Sequence, residues 1–432
     1  MQPQTIKVGV IGAGTVGSGT IEILLQRAEM LFRRSGARVE LAAVAELDKA
    51  KALATGAPEK IIVDDFTKVT TNPEIDIVVE LIGGTGIAEK IVKSALENGK
   101  AVVTANKALL AEKGKALFAL AREKKAPLAF EAAVGGGIPC IQAIRDGLNS
   151  NNFLSCLGIL NGTCNYILTE MTTKGQSYAD SLKQAQALGF AEANPRTDVE
   201  GFDTGHKLAL LSALAFETWI DFDKLPIEGI TGITDFDMES AKEMGYVIKL
   251  LAIGKVLDNK LFLAVQPGLI SQKSILAGVN GSLNAVSLYG DTVKESVLIG
   301  HGAGKTPTAC AVVSDIVNVA KIICSGAQEF SWLPQEKPQL ALGDMNDCPA
   351  RYYLRFTVEN RVGVLAQIAG TLSQHNVGIA SLLQPEKGDV DGYATVIAVT
   401  DTARTGDIRE AVHSIDRMDY SKKPASLYVI EG

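Results

Sequence analysis

The stretch IKVGVIGAGTVG, residues Ile6–Gly17, decides the fold of the N-terminal part of the chain. Its β-branched half predicts a buried strand, and the glycines that follow it open an apolar-periodic helix. In a strand–turn–helix unit of this kind, the first glycine permits a tight turn, the second lets the backbone approach a pyrophosphate, and the third allows close packing of helix on strand. A glycine-rich turn without a ligand is the alternative. We expect an α/β nucleotide-binding (Rossmann) domain whose cofactor contacts include Gly12, Ala13, Gly14, Thr15, Val16 and Gly17.

A second strand, Val39–Ala45, ends at Glu46. Dinucleotide sites place an acidic residue at this strand end, where it binds the ribose hydroxyls. Here the acidic residue lies further from the glycine-rich turn than is usual, so the helix between them must be long and end at Gly36. A carboxylate would repel a 2′-phosphate, and therefore Glu46 favours NAD over NADP. The alternative is an ordinary surface carboxylate.

Two further strands, Ile75–Leu81 and Lys100–Val103, end close to Thr85 and Lys107. Ligands of open parallel sheets lie beyond the carboxyl ends of the strands, so both residues are expected beside the cofactor. The next strand leads into Glu131–Pro139, EAAVGGGIP, a glycine-rich exit from the domain. Its carbonyl groups are suited to a hard cation.

A dense group of charged side chains occupies Ala185–Lys207, AQALGFAEANPRTDVEGFDTGHK. Asp203 and Lys207 are four residues apart and share one face of a helix. An exposed ion pair is the ordinary interpretation of such a spacing. However, the helix continues as LALLSALAF, which is too apolar to face solvent, so its first turn is expected to meet a half-buried cavity.

The spacing across this segment resembles the signature of the homoserine dehydrogenase family, in its longer form with a C-terminal ACT domain. The matching residues are Ala185, Gly189, Phe190, Asn194, Pro195, Asp198, Val199, Gly201, Asp203 and Lys207. The resemblance covers nearly the whole chain. It implies reversible, NAD(P)-dependent conversion of L-aspartate 4-semialdehyde into L-homoserine, in the biosynthesis of threonine, methionine and isoleucine.

The resemblance also implies roles for individual residues. Lys207 would donate the proton to the carbonyl oxygen, with Lys107 as a second cation near the substrate. Asp203 and Glu192 would bind the substrate amino group, and Asp198 would order the loop or the substrate. An ammonium beside a developing alkoxide and carboxylates beside a substrate ammonium are chemically appropriate.

Further ligand contacts follow from the same resemblance. Gly189, Gly302 and Gly304 would contact the cofactor. A structural sodium ion would be bound by Glu131 and by the carbonyls of Val134, Gly136 and Ile138. The segment 299–306, IGHGAGKT, is superficially similar to a phosphate-binding P-loop, but Ile299 stands at the first required glycine and Pro307 interrupts the helix that should follow. We therefore reject ATP binding there.

Three domains are expected. The nucleotide-binding domain spans 1–133 with a returning segment 305–335, and an α+β substrate and dimerisation domain with a mixed sheet spans 134–304. Residues 350–432 follow a βαββαβ order that resembles the ferredoxin-like ACT regulatory domain. Asn360 and Val362 replace the usual Asp and Pro before Gly363. Threonine is the implied effector, and an ACT domain that only dimerises is the alternative.

Composition limits the remaining partners. The chain has 432 residues with 42 basic and 49 acidic side chains, a net charge of −7, which argues against nucleic acid and anionic membranes. No apolar run reaches membrane-spanning length and no signal peptide is expected, so a cytoplasmic protein is predicted. The family resemblance implies a homodimer or homotetramer. The six cysteines are expected to be free, buried thiols. Two rival functions remain, namely another amino-acid dehydrogenase and a non-catalytic amino-acid sensor.

Overall fold

The computed structural model describes residues 4–326, 340–385 and 392–431. The chain divides into two compact units. The first unit comprises Met1–Leu154, Gly205–Lys224 and Leu283–Leu340, and the second comprises Ser155–Thr204, Leu225–Ser282 and Ala341–Gly432. Part of the predicted returning segment, residues 327–335, lies outside the described residues.

The strands are, in chain order, β1 Thr5–Ile11, β2 Arg38–Ala45, β3 Ile62–Val63, β4 Ile77–Glu80, β5 Ala101–Thr104, β6 Leu128–Ala129, β7 Phe153–Ile159, β8 Tyr246–Leu257, β9 Lys260–Ser271, β10 Leu283–Gly290, β11 Lys294–His301, β12 Ala341–Leu342, β13 Pro349–Glu359, β14 Ile379–Leu383, β15 Tyr393–Thr400, β16 Ala403–Arg404 and β17 Ser421–Glu431.

The α-helices are α1 Thr15–Gln26, α2 Ala28–Ser35, α3 Lys49–Ala54, α4 Thr67–Thr70, α5 Gly86–Glu97, α6 Lys107–Lys124, α7 Cys140–Gln142, α8 Gly162–Lys174, α9 Tyr178–Ala187, α10 Arg196–Val199, α11 Phe202–Ala215, α12 Asp235–Glu243, α13 Lys305–Ser325, α14 Val364–Gln374 and α15 Thr405–Asp416. Short 3₁₀ turns occupy Glu59–Ile61, Glu131–Ala133, Phe222–Lys224, Ile275–Gly278 and Met345–Asp347, and Ala143–Gly147 is a π-helical turn.

The first unit contains a six-stranded parallel sheet in the order β3-β2-β1-β4-β5-β6. Strand order reverses at β1, which creates the switch point where α/β folds bind their ligands. The apolar side chains of β1 and β4 are buried, as expected of strands covered on both faces. This arrangement confirms the predicted Rossmann topology.

Helix α13 packs on this nucleotide-binding unit. A Cβ on Gly19 of α1 would lie 3.0 Å from the Cβ of Ala309, and Lys305 forms a 2.7 Å ion pair with Glu22. By length and hydropathy alone, α13 would also qualify as a membrane span, so the prediction that no apolar run reaches that length was wrong. However, 56% of its most apolar window is buried within the protein, which is typical of a core helix.

The second unit contains a mixed sheet in the order β7-β8-β9-β17-β13-β15-β14. Neighbouring strands are antiparallel except for β9 and β17, which pair in parallel through Val429–Glu431 and Gly268–Ile270. Within this sheet, β13, α14, β14, β15, α15 and β17 form the predicted βαββαβ unit. Its core includes the fully buried Tyr353 and Phe356.

Several local predictions need correction. The long first helix is two helices, α1 and α2, with a break at Arg27; Gly36, in the left-handed conformation, ends the second. Sequence analysis did not identify β8, β10 or α12. All six cysteines are free, but Cys310 and Cys324 are exposed and not buried.

Candidate functional site

The glycine-rich turn has the geometry that a dinucleotide site requires. Gly12 adopts a φ of 99°, which favours glycine, and a Cβ there would lie 2.9 Å from the Leu81 carbonyl oxygen. A Cβ on Gly17 would lie 1.9 Å from the Gly12 oxygen, so α1 can approach the turn only with glycine at this position. By contrast, a Cβ on Gly14 would meet nothing within 4 Å. The turn is therefore closed towards the protein and open at Gly14, which is also the N-cap of α1.

Glu46 lies directly beside this turn. One of its carboxylate oxygens accepts a 2.7 Å hydrogen bond from the Ala13 amide, and the other accepts from the Asp48 amide at 3.1 Å. The side chain is half-buried at the end of β2. Glu46 thus connects the second strand to the glycine-rich turn, at the position where the family fingerprint places a ribose ligand.

A buried glutamate that sequence analysis missed organises the ends of β4 and β5. Glu80 accepts hydrogen bonds from the Ile82 and Gly83 amides at 2.9 and 3.2 Å, and from the Thr104 hydroxyl at 2.7 Å. The side chain is fully buried. A glutamate at the end of the otherwise apolar run IVVE was the available signal, because buried carboxylates require partners.

The turn after β5 places Lys107 at the first position of α6. Asn106 caps this helix by accepting the Leu109 amide at 3.1 Å, and its side-chain nitrogen donates to the Gly84 carbonyl at 2.7 Å. Thr85 is the N-cap of α5. Lys107 and Thr85 therefore follow neighbouring strands at the same edge of the sheet, and Asn106 links their two loops.

Two buried carboxyl groups meet at the glycine-rich exit. Glu131 is 2% exposed, and its two carboxylate oxygens accept the Ile141 and Gln142 amides at 2.9 and 2.8 Å. Its own amide donates to Asp315 at 2.8 Å. Desolvation raises the pKa of Glu131 to about 7; desolvation and then the neighbouring Glu131 charge raise the pKa of Asp315 to about 8.

The other predicted cation ligands lie on the same turn. The Val134 carbonyl accepts from the Cys140 thiol at 3.2 Å, and the Ile138 carbonyl accepts from the Cys140 amide at 2.8 Å. A Cβ on Gly136 would lie 2.3 Å from the carbonyl oxygen of Gly302, so these two glycine-rich segments touch directly. Across the described ranges, no group of three or more His, Cys, Asp or Glu residues could hold a metal ion. Any cation here would depend on backbone carbonyls.

Gly302 and Gly304 both lie just before α13, which begins at Lys305. Gly304 is the N-cap of this helix and has a φ of 116°, a conformation that favours glycine. A Cβ on Gly302 would overlap the Asn284 side chain at 2.0 Å.

In the second unit, Asn161 brings two of the predicted acids together. Its side-chain nitrogen donates to Asp198 at 2.7 Å and to Asp203 at 2.9 Å. Its side-chain oxygen accepts the Cys164 amide at 2.8 Å and so caps α8. From the sequence, the turn at Asn161–Asn165 is expected to contact the substrate or cofactor, or only to cap the next helix, and the cap is observed. The two contacts with the acids were not predicted, since they join residues 37 and 42 positions apart.

Neighbouring contacts secure the same turn. The Thr163 hydroxyl donates to the Phe190 carbonyl at 2.6 Å, and the Cys164 thiol donates to the Asp198 carbonyl at 3.2 Å. These bonds attach the start of α8 to two points inside the signature segment, Phe190 and Asp198. The backbone of Asp198 is thus fixed as well as its carboxylate.

Asp203 and Lys207 lie one turn apart on α11, as predicted. Asp203 is 5% exposed and Lys207 is 7% exposed, which excludes the interpretation of a solvated surface pair. Glu192, in contrast, has an exposed side chain, and its carbonyl accepts from Gln186 at 3.1 Å. Gly189 forms the turn after α9. Asp198, Asp203 and Asn161 are therefore assembled in this structure, and Glu192 projects from a surface loop.

Comparison with known proteins agrees with this arrangement. A family model described as homoserine dehydrogenase matches residues 139–317, its NAD-binding domain model matches residues 12–131, and an ACT domain model matches residues 352–417. The homoserine dehydrogenase of Neisseria gonorrhoeae is 41% identical over 432 residues, which cover 99% of each chain.

Solved structures give the same result. The crystal structure of a homoserine dehydrogenase from Thiobacillus denitrificans has a TM-score of 0.93 and 40% identity, covering 100% of this chain and 99% of that one. A hyperthermophilic archaeal homoserine dehydrogenase in complex with NADPH has a TM-score of 0.62 and 25% identity, covering 73% of this chain and 98% of that one.

Proposed function

The chain belongs to the homoserine dehydrogenase family, and from this premise we propose which of its residues carry out the reaction. Members of the family are NAD(P)-dependent oxidoreductases that interconvert L-aspartate 4-semialdehyde and L-homoserine. The observation that supports our assignment most directly is the Asn161 bridge between Asp198 and Asp203, next to the buried Lys207 on the same helix as Asp203.

The acids recognise the amino end of the substrate. Asp198 and Asp203 place two carboxylates around one amide nitrogen, and Asp203 is removed from water. A substrate ammonium is attracted strongly to buried carboxylates, because charge-assisted hydrogen bonds strengthen where water is excluded. We place the ammonium at this pair, with Glu192 as a further ligand from its loop.

Lys207 handles the proton of the reaction. Its ammonium donates to the carbonyl oxygen of the semialdehyde as the aldehyde carbon is reduced, and it takes the hydroxyl proton back in the reverse direction. The nicotinamide coenzyme, when bound, supplies or accepts the hydride. Lys107, at the start of α6, adds a second positive charge that stabilises the developing alkoxide. These two lysines act on oxygen, whereas the acids act on nitrogen.

For the coenzyme, we infer a preference for NAD over NADP. The basis is the Glu46 carboxylate beside the glycine-rich turn, because a 2′-phosphate placed next to it would be repelled. Gly12–Gly17 would hold the pyrophosphate, with Thr85, Lys107, Gly189 and Gly304 as further contacts. The test is the ratio of kcat/KM for NAD and NADP in the wild type and in Glu46→Gln, which keeps an acceptor for Ala13. Loss of charge should shift the ratio towards NADP, and an unchanged ratio would remove Glu46 from coenzyme selection.

We also propose that a sodium ion binds at Glu131 with the carbonyls of Val134, Gly136 and Ile138. Burial raises the pKa of Glu131 more than the charge of Arg145 lowers it, and Oδ1 of Asp315 finds no hydrogen-bond partner in the described residues. Both observations fit a site with too little positive charge for its two acids. A monovalent cation would stabilise the ionised Glu131 carboxylate. Its role would be structural.

The C-terminal ACT domain is proposed to bind threonine as a feedback effector. A cavity of about 150 Å³ surrounds the start of α14, where Gly363 is the N-cap, and it includes Asn360 and Arg361 in its lining. Val362 beside it is fully exposed, which fits an additional contact surface in a homodimer or homotetramer. Free cysteines throughout fit a reducing, cytoplasmic location.

The decisive experiment is oxidation of L-homoserine by the purified protein with NAD and with NADP. Lys207→Met keeps the aliphatic stem and removes the ammonium, and Lys183→Met, on the exposed face of α9, is the matched control. We expect turnover to collapse by a factor of about 10² or more in Lys207→Met, within the range of general acid–base catalysis, with unchanged coenzyme binding. Equal activity in both variants would refute the role of Lys207, and no wild-type turnover with either coenzyme would favour the sensor or another substrate.

A further inference from the structure

A second cavity in the second unit lies apart from the residues assigned so far. It has a volume of about 280 Å³ and opens to solvent between strand β17, helix α15 and the loop at residues 226–232. Its lining includes Glu228, Gln266, Arg409 and Ser426. The cavity is thus formed jointly by the ACT domain and by a loop of the substrate domain.

Two opposite charges stand at its rim. Glu228 and Arg409 both have exposed side chains. Partial desolvation raises the pKa of the Glu228 carboxyl, and Arg409 is close enough to lower it again. Arg409 donates to the Asn346 side-chain oxygen at 2.9 Å. The ion pairs among the described residues do not include one between Glu228 and Arg409, so a ligand that carries both charges can meet both groups.

Uncharged polar groups line the interior. Gln266 is only 7% exposed, and its side-chain nitrogen has no hydrogen-bond partner in the part of the chain that the structure describes. Buried donors are almost always paired, so this one calls for a ligand or water. The Ser426 oxygen accepts from Arg355 at 2.7 Å, so its own hydroxyl proton can be donated to the neighbouring Tyr428 or to a ligand. The interior therefore offers donors to a polar side chain.

The loop that forms one wall is bonded to the backbone beside a substrate acid. The Ile230 amide donates to the Val199 carbonyl at 2.8 Å. A Cβ on Gly229 would lie 2.1 Å from that same carbonyl oxygen, so the loop lies directly against the chain there. Val199 follows Asp198, and a shift of the loop would therefore move the segment that holds Asp198.

We propose that this cavity binds a small L-α-amino acid with a hydrogen-bonding side chain, distinct from the cavity near Gly363. Arg409 binds the ligand carboxylate and Glu228 binds its ammonium. Gln266 and Ser426 form hydrogen bonds with the ligand side chain. Occupancy is transmitted through residues 228–230 to Asp198 and alters the affinity for homoserine. This last step rests on the assignment of Asp198 to substrate binding, whereas ligand binding itself does not.

The first test measures binding to the full-length protein with L-threonine, L-serine and L-asparagine. Two analogues of threonine serve as negative probes: 1-amino-2-propanol lacks the carboxylate, and 3-hydroxybutyrate lacks the ammonium. We expect saturable binding of at least one amino acid and at least tenfold weaker binding of the matching analogues. Arg409→Gln and Glu228→Gln should each weaken binding of the amino acid by about tenfold, consistent with loss of one charge-assisted hydrogen bond. Asn346→Ala is the control. It removes the hydrogen bond between Arg409 and Asn346 but keeps the Arg409 charge, so this variant should bind the amino acid as tightly as the wild type.

Hydrogen exchange locates the ligand. Protection should appear in peptides that cover 226–232 and 425–428. If no amino acid binds, if protection is confined to residues near Gly363, or if Arg409→Gln binds as tightly as Asn346→Ala, the proposal is overturned. Binding at these peptides in a protein that fails to oxidise homoserine would instead overturn the catalytic assignment and leave the site intact. A KM for homoserine that does not change with the ligand would remove the coupling to Asp198.

Discussion

Replacement of Asn161 by alanine tests how the substrate acids are held. The side chain makes three hydrogen bonds, two donated to Asp198 and Asp203 and one accepted from the Cys164 amide. Asn161→Ala removes all three. The two carboxylates then lose the shared donor that keeps them at distances of 2.7 and 2.9 Å from one nitrogen atom. We expect them to separate and to bind the substrate ammonium less well.

The size of the effect follows from these bonds. A hydrogen bond to a charged group contributes about 1.5–3 kcal/mol, and removal of an N-cap costs about 1 kcal/mol of stability. Water can replace part of the lost bond to Asp198, which is half-buried. We therefore expect kcat/KM for homoserine to fall roughly 10- to 100-fold, which corresponds to about 1.4–2.7 kcal/mol. Most of the loss should lie in KM, because Lys207 remains in place.

The assay is steady-state oxidation of homoserine at saturating coenzyme, together with urea denaturation. Ser177→Ala is the matched control, since Ser177 caps α9 in the same unit through a 3.1 Å bond from the Asp180 amide and contacts neither acid. It should lose about 1 kcal/mol of stability with unchanged kinetics. If Asn161→Ala behaves in the same way, with KM for homoserine intact, then Asn161 is only a helix cap and our account of the acid pair is refuted.

Three other perturbations test the remaining buried acids. Arg355→Met leaves Asp237, which is fully buried and 2.6 Å from the guanidinium, without its counter-charge, so we expect a loss of about 3–5 kcal/mol in urea denaturation; a loss below about 1 kcal/mol would show that Asp237 is hydrated. Folding raises the pKa of Glu131 from 4.5 to about 7 and that of Asp315 from 3.8 to about 8. Between the unfolded and folded pKa values, the folded state binds more protons than the unfolded state. The free energy of unfolding should therefore fall as the pH rises through this range. Asp315→Asn keeps an acceptor for the Glu131 amide and should flatten the pH profile of unfolding. Added sodium should flatten it as well. An unaltered profile would contradict the raised pKa values of these two acids. Glu80→Gln cannot accept the same set of bonds and should raise KM for the coenzyme more than KM for homoserine; the reverse pattern would exclude a role in shaping the coenzyme loops.

Local patterns were sufficient where a few adjacent residues determine the outcome. The turn at Gly12–Gly17 and the helix that carries Asp203 and Lys207 were both predicted, because turn geometry and helical period depend on neighbours in sequence. The break at Arg27 was not predictable, since α1 and α2 both read as helical. Strand β8 was missed because YVIKLLAIGKVL is a mostly apolar stretch without strict alternation, which suits a buried strand and a buried helix equally well.

Contacts between distant residues limited the prediction of the site. Asn161 and Glu80 each stand at the end of a strand and meet their partners only after the chain has folded, at separations of 24–42 residues for the side-chain contacts with Thr104, Asp198 and Asp203. Nothing in their immediate neighbours indicates those partners. Residue type was the remaining signal, because an amide or a carboxylate at the end of an apolar strand must find hydrogen bonds elsewhere.

The chemistry of the partner separates a structural acid from a binding acid in this protein. Asp237 accepts hydrogen bonds from two nitrogens of the Arg355 guanidinium and is fully buried, so its charge is matched inside the fold and serves to join α12 to β13. Asp198 and Asp203 receive an amide from Asn161, which supplies donors but no positive charge. Asn161 therefore positions the two carboxylates without adding a positive charge of its own, which an arginine at position 161 would bring. This difference explains why a neutral residue stands at the centre of a site that we expect to bind an ammonium group.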